Sequence, residues 1–195
     1  ERHGSGITDF GGLLIEKLND IGMMIDVSHA NVRTALDAIE ISKQPIQISH
    51  TTCDALFSSP RGMPDAVFRS LADNGGVVGI TQMRLYITLE RYGAVDLYFD
   101  HLMHAINVAG IEHVGIGSDR DHRRLVVTPE YLEEMQQEQG ERFDISKVPL
   151  YFEELNSPRR MEVIWDKLLE RGLSEDDVEK VTGLNFYRHY NNLIG

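Results

Sequence analysis

Three ionisable residues, His29, His50 and Asp119, each stand within two residues of the end of a short apolar run. If those runs are parallel strands, their carboxyl ends meet at one edge of a sheet, where side chains converge. Imidazole nitrogen and carboxylate oxygen are ligands for divalent zinc, and rigid strands hold ligands more accurately than loops do. We therefore predict a metal site that contains His29 and His50. Asp119 is either a further ligand or a proton-transferring group beside the ion.

Each of these residues also has a structural interpretation. A single histidine at a strand end often only hydrogen-bonds nearby backbone, but two histidines at matching positions of successive strands favour a site. Asp119 has the alternative role of a helix N-cap, and His122 follows it closely enough to be a candidate partner. Asp26 lies three residues before His29. We expect it to cap or to hydrogen-bond a ligand histidine rather than to bind metal.

A candidate group for substrate recognition is Arg61, which follows the second apolar run and precedes a predicted helix. A guanidinium binds a carboxylate through two parallel hydrogen bonds, so Arg61 is a candidate for holding a substrate carboxylate. The alternative is a surface ion pair with Asp65. His101 and His104 lie three residues apart on a predicted helix, where we expect a surface or packing role.

Covalent catalysis has little support in the sequence. There is no GxSxG motif, and the one cysteine, Cys53, stands next to Asp54 rather than beside a placed base. One cysteine also excludes an internal disulfide and a cysteine-based zinc framework within the chain. It fits a reducing compartment, so we expect the cytoplasm, with the periplasm as the alternative.

The elements that position these residues follow from the apolar pattern. Runs of apolar residues rich in β-branched side chains or glycine are typical of strands covered on both faces. Helical patterns separate the runs, which predicts a parallel α/β arrangement. The predicted strands are 23–27, 45–48, 76–81 and 113–117.

Helix boundaries are marked by capping residues. Thr8 and Asn31 begin the first two helices, Pro64 suits the first turn of the third, and Ser174 caps the last. Later helices are predicted at about 95–109, 160–171 and 175–192. The polar stretch 127–158 is interpreted as a solvated helix and loop, with a segment that covers substrate as the alternative.

Length and composition bound the class of protein. With 195 residues and 22.1 kDa, the chain is predicted to be one domain, 1–195. Lysine and arginine number 19 against 31 aspartate and glutamate, which gives a formal charge of -12. This balance argues against nucleic-acid binding. No apolar run approaches the roughly 18 residues that a membrane span needs.

Five ordered motifs together resemble the membrane dipeptidase (renal dipeptidase) family of zinc peptidases, whose fold is an amidohydrolase-like barrel. The closing stretch KVTGLNFYR at 180–188 is also similar to that family. The motifs are GMMIDVSH at 22–29, PIQISH at 45–50, RGMPD at 61–65, GGVVGI at 75–80 and EHVGIGSD at 112–119.

The resemblance implies a (β/α)8 TIM barrel, of which this chain supplies about the second half: four strands and the C-terminal helices. It implies that His29 and His50 bind the second of two zinc ions, and that Arg61 holds the terminal carboxylate of the substrate. Asp119 would contact the substrate and move protons. The implied activity is hydrolysis of dipeptides by a hydroxide that bridges the two zinc ions.

The family's His-x-Asp pair, its bridging glutamate and its substrate-binding histidine match nothing in this chain. We therefore expect a missing N-terminal half, from the same or a separate chain, to complete the barrel. Half a barrel is expected to expose apolar strand residues and to associate, for example as a homo-oligomer. The alternatives for function are a related amidohydrolase acting on another small amide, and a non-catalytic or maturation protein of the same fold.

Overall fold

The computed structural model describes residues 4–90, 94–120, 126, 128–139 and 150–194. In these ranges, a four-stranded parallel sheet has helices packed against it, which confirms the predicted α/β class. The strands, in the spatial order β2-β1-β3-β4, are β1 Gln47–Cys53, β2 Gly62–Met63, β3 Val77–Thr81 and β4 Val114–Ser118. The helices are α1 Asp9–Asp20, α2 Val32–Ile41, α3 Asp65–Asp73, α4 Val95–Ala109, α5 Pro129–Gln139, α6 Arg160–Glu170, α7 Glu175–Glu179 and α8 Asn185–Ile194.

The helices begin where the capping residues predict. The side chains of Thr8, Asn31 and Ser174 accept hydrogen bonds from backbone amides in the first turns of α1, α2 and α7. Pro64 takes the N-cap position of α3, one residue before the predicted first turn. A π-helical stretch, Lys180–Leu184, joins α7 to α8, so the predicted last helix continues to Ile194 without a break.

The strands differ from the prediction at three places, one of which is β2, Gly62–Met63, a strand that was not predicted. The predicted strand 23–27 pairs with β1 only at one isolated parallel bridge, Asp26 to Gln47. In this bridge the Val27 amide donates to the Gln47 carbonyl, and the Gln47 amide donates to the Ile25 carbonyl. The second strand, in contrast, continues through His50 as far as Cys53. The extension was not predicted because the residues after His50 are polar, although Thr51 and Thr52 are fully buried in the structure. His50 therefore lies in the middle of β1 rather than beyond its end.

The core lies between the sheet and the helices that cover it. Ile48, Val78, Ile80 and Val114 are completely buried in one apolar cluster with side chains of α2, α3, α4 and α6. The expectation that strand residues of this kind would be exposed is therefore wrong for these four. The helices of the chain itself supply their cover. Among the described helices, none combines the length and the apolar character that crossing a bilayer requires.

Candidate metal and substrate site

The two histidines of the predicted metal site lie side by side. The Nε2 atoms of His29 and His50 are 2.8 Å apart, and the rings meet edge to face at 74°. Two nitrogens bound to one tetrahedral zinc at about 2.0 to 2.1 Å lie about 3.3 Å apart, so only a small ring movement separates this pair from shared ligation. The donor set, two imidazoles with converging Nε2 atoms, therefore fits zinc.

The position of His50 depends on an irregularity in β1. Between Ile48 and Thr51, β1 carries one more residue than the facing part of β3. Such a bulge redirects side chains and is common beside active sites. It is accommodated by Gly79 and Gly117, because a Cβ at either position would come within 2.2 to 2.7 Å of the Ser49 carbonyl oxygen.

Asp119 reaches the histidine pair through an unusual backbone turn. Its Oδ2 lies 3.8 Å from the His50 Nε2, with the carboxylate partly exposed. Ser118 and Asp119 both have positive φ, 55° and 59°. This conformation costs a non-glycine residue roughly 1 kcal/mol or more. Hydrogen bonds from the Thr81 hydroxyl and the Gln82 amide to the Ser118 carbonyl hold the turn in place.

The Asp26 carboxylate hydrogen-bonds the serines that precede the two histidines. Its Oδ1 accepts from the Ser28 amide and hydroxyl and from the Ser49 amide, at 3.0, 2.5 and 3.2 Å. Burial raises the pKa of Asp26, but these serine hydrogen bonds together outweigh it, so the pKa lies below its usual value. For His50, burial is the main reason that the pKa lies below 6.5; Asp119 opposes this and His29 adds to it. A neutral imidazole and an ionised carboxylate therefore coexist at neutral pH.

Arg61 lines a cavity of about 260 Å³ together with Ser28, Asn31 and Met63. Its guanidinium carbon lies 5.8 Å from the centre of the buried Tyr86 ring, within the range of a cation–π contact. Asp65, the alternative surface partner of Arg61, pairs instead with His104 at 2.8 Å and Arg69 at 3.4 Å.

Two other residues considered in the sequence analysis, His101 and Cys53, have structural roles. His101 is buried, and its Nδ1 accepts a hydrogen bond from the Cys53 amide at 3.0 Å. Burial lowers the pKa of His101 to about 4 and raises that of the Cys53 thiol to about 12. Both groups are therefore neutral at physiological pH. His122, the proposed neighbour of Asp119, lies outside the described residues.

The stretch 127–158 is not a solvated excursion throughout. Residues 127 and 140–149 lie outside the described ranges, but Leu150, Tyr151 and Phe152 are buried. Arg120, next to Asp119, donates to the Leu155 carbonyl and to the Asn156 side chain, and lies 4.4 Å from the Tyr151 ring centre. The segment 150–156 is thereby fastened beside the strand ends.

Sequence reasoning missed the serines beside the histidines. Ser28 and Ser49 each precede a predicted ligand, and this repeated Ser-His pair was the available signal. Tyr86 had no comparable signal, because its place next to Arg61 depends on the path of the chain after β3. Among the described residues, no group of three or more His, Cys, Asp or Glu is placed to hold one metal ion.

Comparison with known proteins gives relatives along most of the chain. The sequence model of the membrane dipeptidase family (peptidase family M19) matches residues 1–139. The chain is 35% identical over 186 residues to dipeptidase verJ of Clonostachys rogersoniana, which covers 95% of this chain and 41% of the relative. It is 31% identical over 189 residues to dipeptidase aclJ of Aspergillus oryzae, covering 96% and 39%. The chain thus spans about two fifths of the length of these relatives.

Solved structures share the fold. An amidohydrolase from Pseudomonas aeruginosa superposes with a TM-score of 0.82 at 25% identity, over 97% of this chain and 58% of that one. A metallo peptidase from Rhodobacter sphaeroides, liganded with a phosphinate mimic of the dipeptide L-Ala-D-Ala, gives 0.74 at 21% identity, over 97% and 48%. These likenesses confirm the predicted fold, about half of an α/β barrel. From the match of its first 139 residues and the identity to two dipeptidases, the chain belongs to the membrane dipeptidase family, peptidase family M19.

Proposed function

We propose that this protein hydrolyses dipeptides at a zinc centre to which His29 and His50 contribute. The observation that carries the proposal is the 2.8 Å approach of the two Nε2 atoms, with the Asp119 carboxylate 3.8 Å from one of them. Family membership supports the same chemistry, since the matched relatives are named dipeptidases. When bound, zinc polarises the peptide carbonyl and makes hydroxide available at neutral pH.

The chain's own residues have separate tasks in this proposal. His29 and His50 would hold the metal through their Nε2 nitrogens. Asp119 accepts the proton of the attacking water and delivers it to the leaving amine, because its carboxylate stands beside the histidine pair and is open to solvent on one side. Arg61 binds the free carboxylate of the dipeptide in the cavity that it shares with Ser28.

The proposed centre needs ligands beyond these two histidines, because zinc sites take four ligands. In the described ranges, no set of three or more His, Cys, Asp or Glu converges on one position. We therefore propose that a complementary part of the barrel, in the same or a separate chain, supplies them and that the complete barrel holds two zinc ions. We also propose that the complete protein is a homo-oligomer.

The test combines metal analysis with hydrolysis assays on the gene-encoded protein. Zinc content is measured by mass spectrometry for the wild type, His29→Ala and His50→Ala, with His104→Gln as the matched control. We expect each site variant to lose zinc and dipeptide hydrolysis, while the control keeps both. Zinc content that is the same in all four proteins contradicts the proposal.

A substrate panel separates dipeptide hydrolysis from the related activities. Dipeptides with L and D residues at the C-terminal position are compared with N-acylated amino acids and with the amidated dipeptides. Faster turnover of the acylated amino acids favours a different amidohydrolase. Full zinc content without any turnover favours a non-catalytic protein of the same fold.

A further inference from the structure

A chain of hydrogen bonds runs from Asp26 to the ring of His50. The Ser28 hydroxyl donates to the Asp26 carboxylate at 2.5 Å. The Ser28 and Ser49 hydroxyl oxygens are 2.9 Å apart, and the Ser49 oxygen is 2.9 Å from the His50 Nδ1. The chain therefore ends on the ring nitrogen opposite the one that faces His29.

Counting protons fixes the direction of each bond. A hydroxyl has one proton to donate, and that of Ser28 is used on the carboxylate of Asp26, which has none to give. The Ser49 hydroxyl then donates to the Ser28 oxygen or to the Asp26 carboxylate, which also receives a side-chain hydrogen bond from Ser49. With its proton used there, Ser49 accepts from His50. The Nδ1 of His50 therefore carries the proton, and the Nε2 keeps a lone pair that accepts a hydrogen bond from the His29 Nε2, 2.8 Å away.

We propose that Asp26, acting through Ser28 and Ser49, is a positioning group that holds His50 in the Nδ1-protonated tautomer, with its Nε2 lone pair directed toward His29. Histidine ligands of metals commonly donate their other ring N–H to such a partner, which fixes the tautomer and the ring orientation. The usefulness of this lone pair for zinc rests on the proposed function. The position of the proton is a property of the metal-free chain.

The same groups also hold the backbone at the bulge. The His50 amide donates to the Ser28 hydroxyl at 3.1 Å, and the Ser49 amide donates to Asp26 at 3.2 Å. The Ser28 oxygen therefore uses its one donor and two acceptor positions. Loss of either serine side chain is expected to change the proton on His50 before it changes the fold, because the backbone of β1 keeps its ladder to β3.

The test reads the tautomer directly in the metal-free protein. Nitrogen-15 NMR at about pH 8, where an ordinary histidine is neutral, distinguishes protonated from unprotonated ring nitrogens. The wild type is expected to show His50 with a protonated Nδ1. In Ser49→Ala the Nδ1 proton loses its acceptor. In Ser28→Ala the Ser49 hydroxyl loses one of its two acceptors, so it becomes able to donate to Nδ1 as well as to Asp26. Both variants are expected to populate the Nε2-protonated form.

Two further variants separate this role from a general structural one. Ser49→Thr keeps the hydroxyl and is expected to restore the wild-type tautomer. Ser42→Ala removes another buried hydroxyl, bonded to Asn19 and Gln44, and is expected to leave His50 unchanged. Zinc affinity is expected to fall about 10- to 100-fold in Ser49→Ala.

The result that overturns the inference is a wild-type His50 protonated on Nε2, or a tautomer that stays the same in both alanine variants. If the wild type binds no zinc but shows the expected tautomer and its loss in the variants, the proposed function fails while the positioning role stands.

Discussion

Replacing Gly79 by alanine tests how closely the strands approach behind the histidine site. A Cβ at this position would lie 2.2 Å from the Ser49 carbonyl oxygen and 2.6 Å from the Gly117 Cα. Both are backbone atoms, so no side-chain rotation relieves the contact. Since ordinary contacts begin at 3.4 Å, the bulged part of β1 would have to move away from β3 by about 1 Å.

The cost can be estimated from two contributions. Forcing a methyl group into a packed interior costs about 1 to 3 kcal/mol. Separating β1 from β3 at the bulge weakens about two backbone hydrogen bonds, each worth about 1 kcal/mol. The gain from replacing glycine in a strand, roughly 0.5 to 1 kcal/mol, offsets a part of this. We expect Gly79→Ala to lower the free energy of unfolding by about 2 to 4 kcal/mol.

Urea unfolding followed by circular dichroism measures this loss, and Gly183→Ala is the matched control. Gly183 lies in the helical stretch before α8, with nothing within 4 Å of its added Cβ and no positive φ. The control is expected to be neutral or slightly stabilising. Because the Ser49 carbonyl precedes His50, Gly79→Ala is also expected to weaken zinc retention. If Gly79→Ala were as stable as Gly183→Ala, the close approach of the three strands would be wrong.

Three further predictions concern charge and burial. Burial holds the pKa of His101 at about 4, so between about pH 4 and pH 6.5 the unfolded chain binds a proton that the folded chain does not. The free energy of unfolding is therefore expected to fall by about 3 kcal/mol as the pH drops from about 6.5 toward 4. Urea unfolding at several pH values measures this fall, and His101→Asn is expected to remove it. Arg61→Ala is expected to lower kcat/KM for free-acid dipeptides, with a loss of transition-state stabilisation of about 2 to 5 kcal/mol and partial rescue by Arg61→Lys. Amidated dipeptides are the control for Arg61, and equal losses on both substrates would refute the carboxylate contact. Cys53, fully buried and with its pKa raised to about 12, should resist alkylation at about pH 8 until urea unfolds the chain; rapid labelling of the native protein would contradict its burial.

Much of the fold was predictable because its signals are local. The caps Thr8, Asn31 and Ser174 act within one turn of their own helices, and the structure has all three hydrogen bonds. The apolar sequences of β3 and β4 also predicted these strands correctly, and every residue of β3 is buried. The length of β1 was not, because Thr51 and Thr52 are polar residues that only their neighbours in space bury.

The candidate site divides in the same way. The amino-acid pattern already places His29, His50 and Asp119 just after apolar runs, and parallel strands bring such positions to one edge of a sheet. The 2.8 Å between the imidazoles, the bulge of β1 and the positive φ of Asp119 could not be read from this pattern, because they arise only when the chain is folded. Each of these features depends on atoms of a distant segment. The bulge fits because Gly79 has no side chain to meet it, and hydrogen bonds from the end of β3 hold the turn at Ser118. A residue type states which contacts are possible, but the register between strands selects the ones that form.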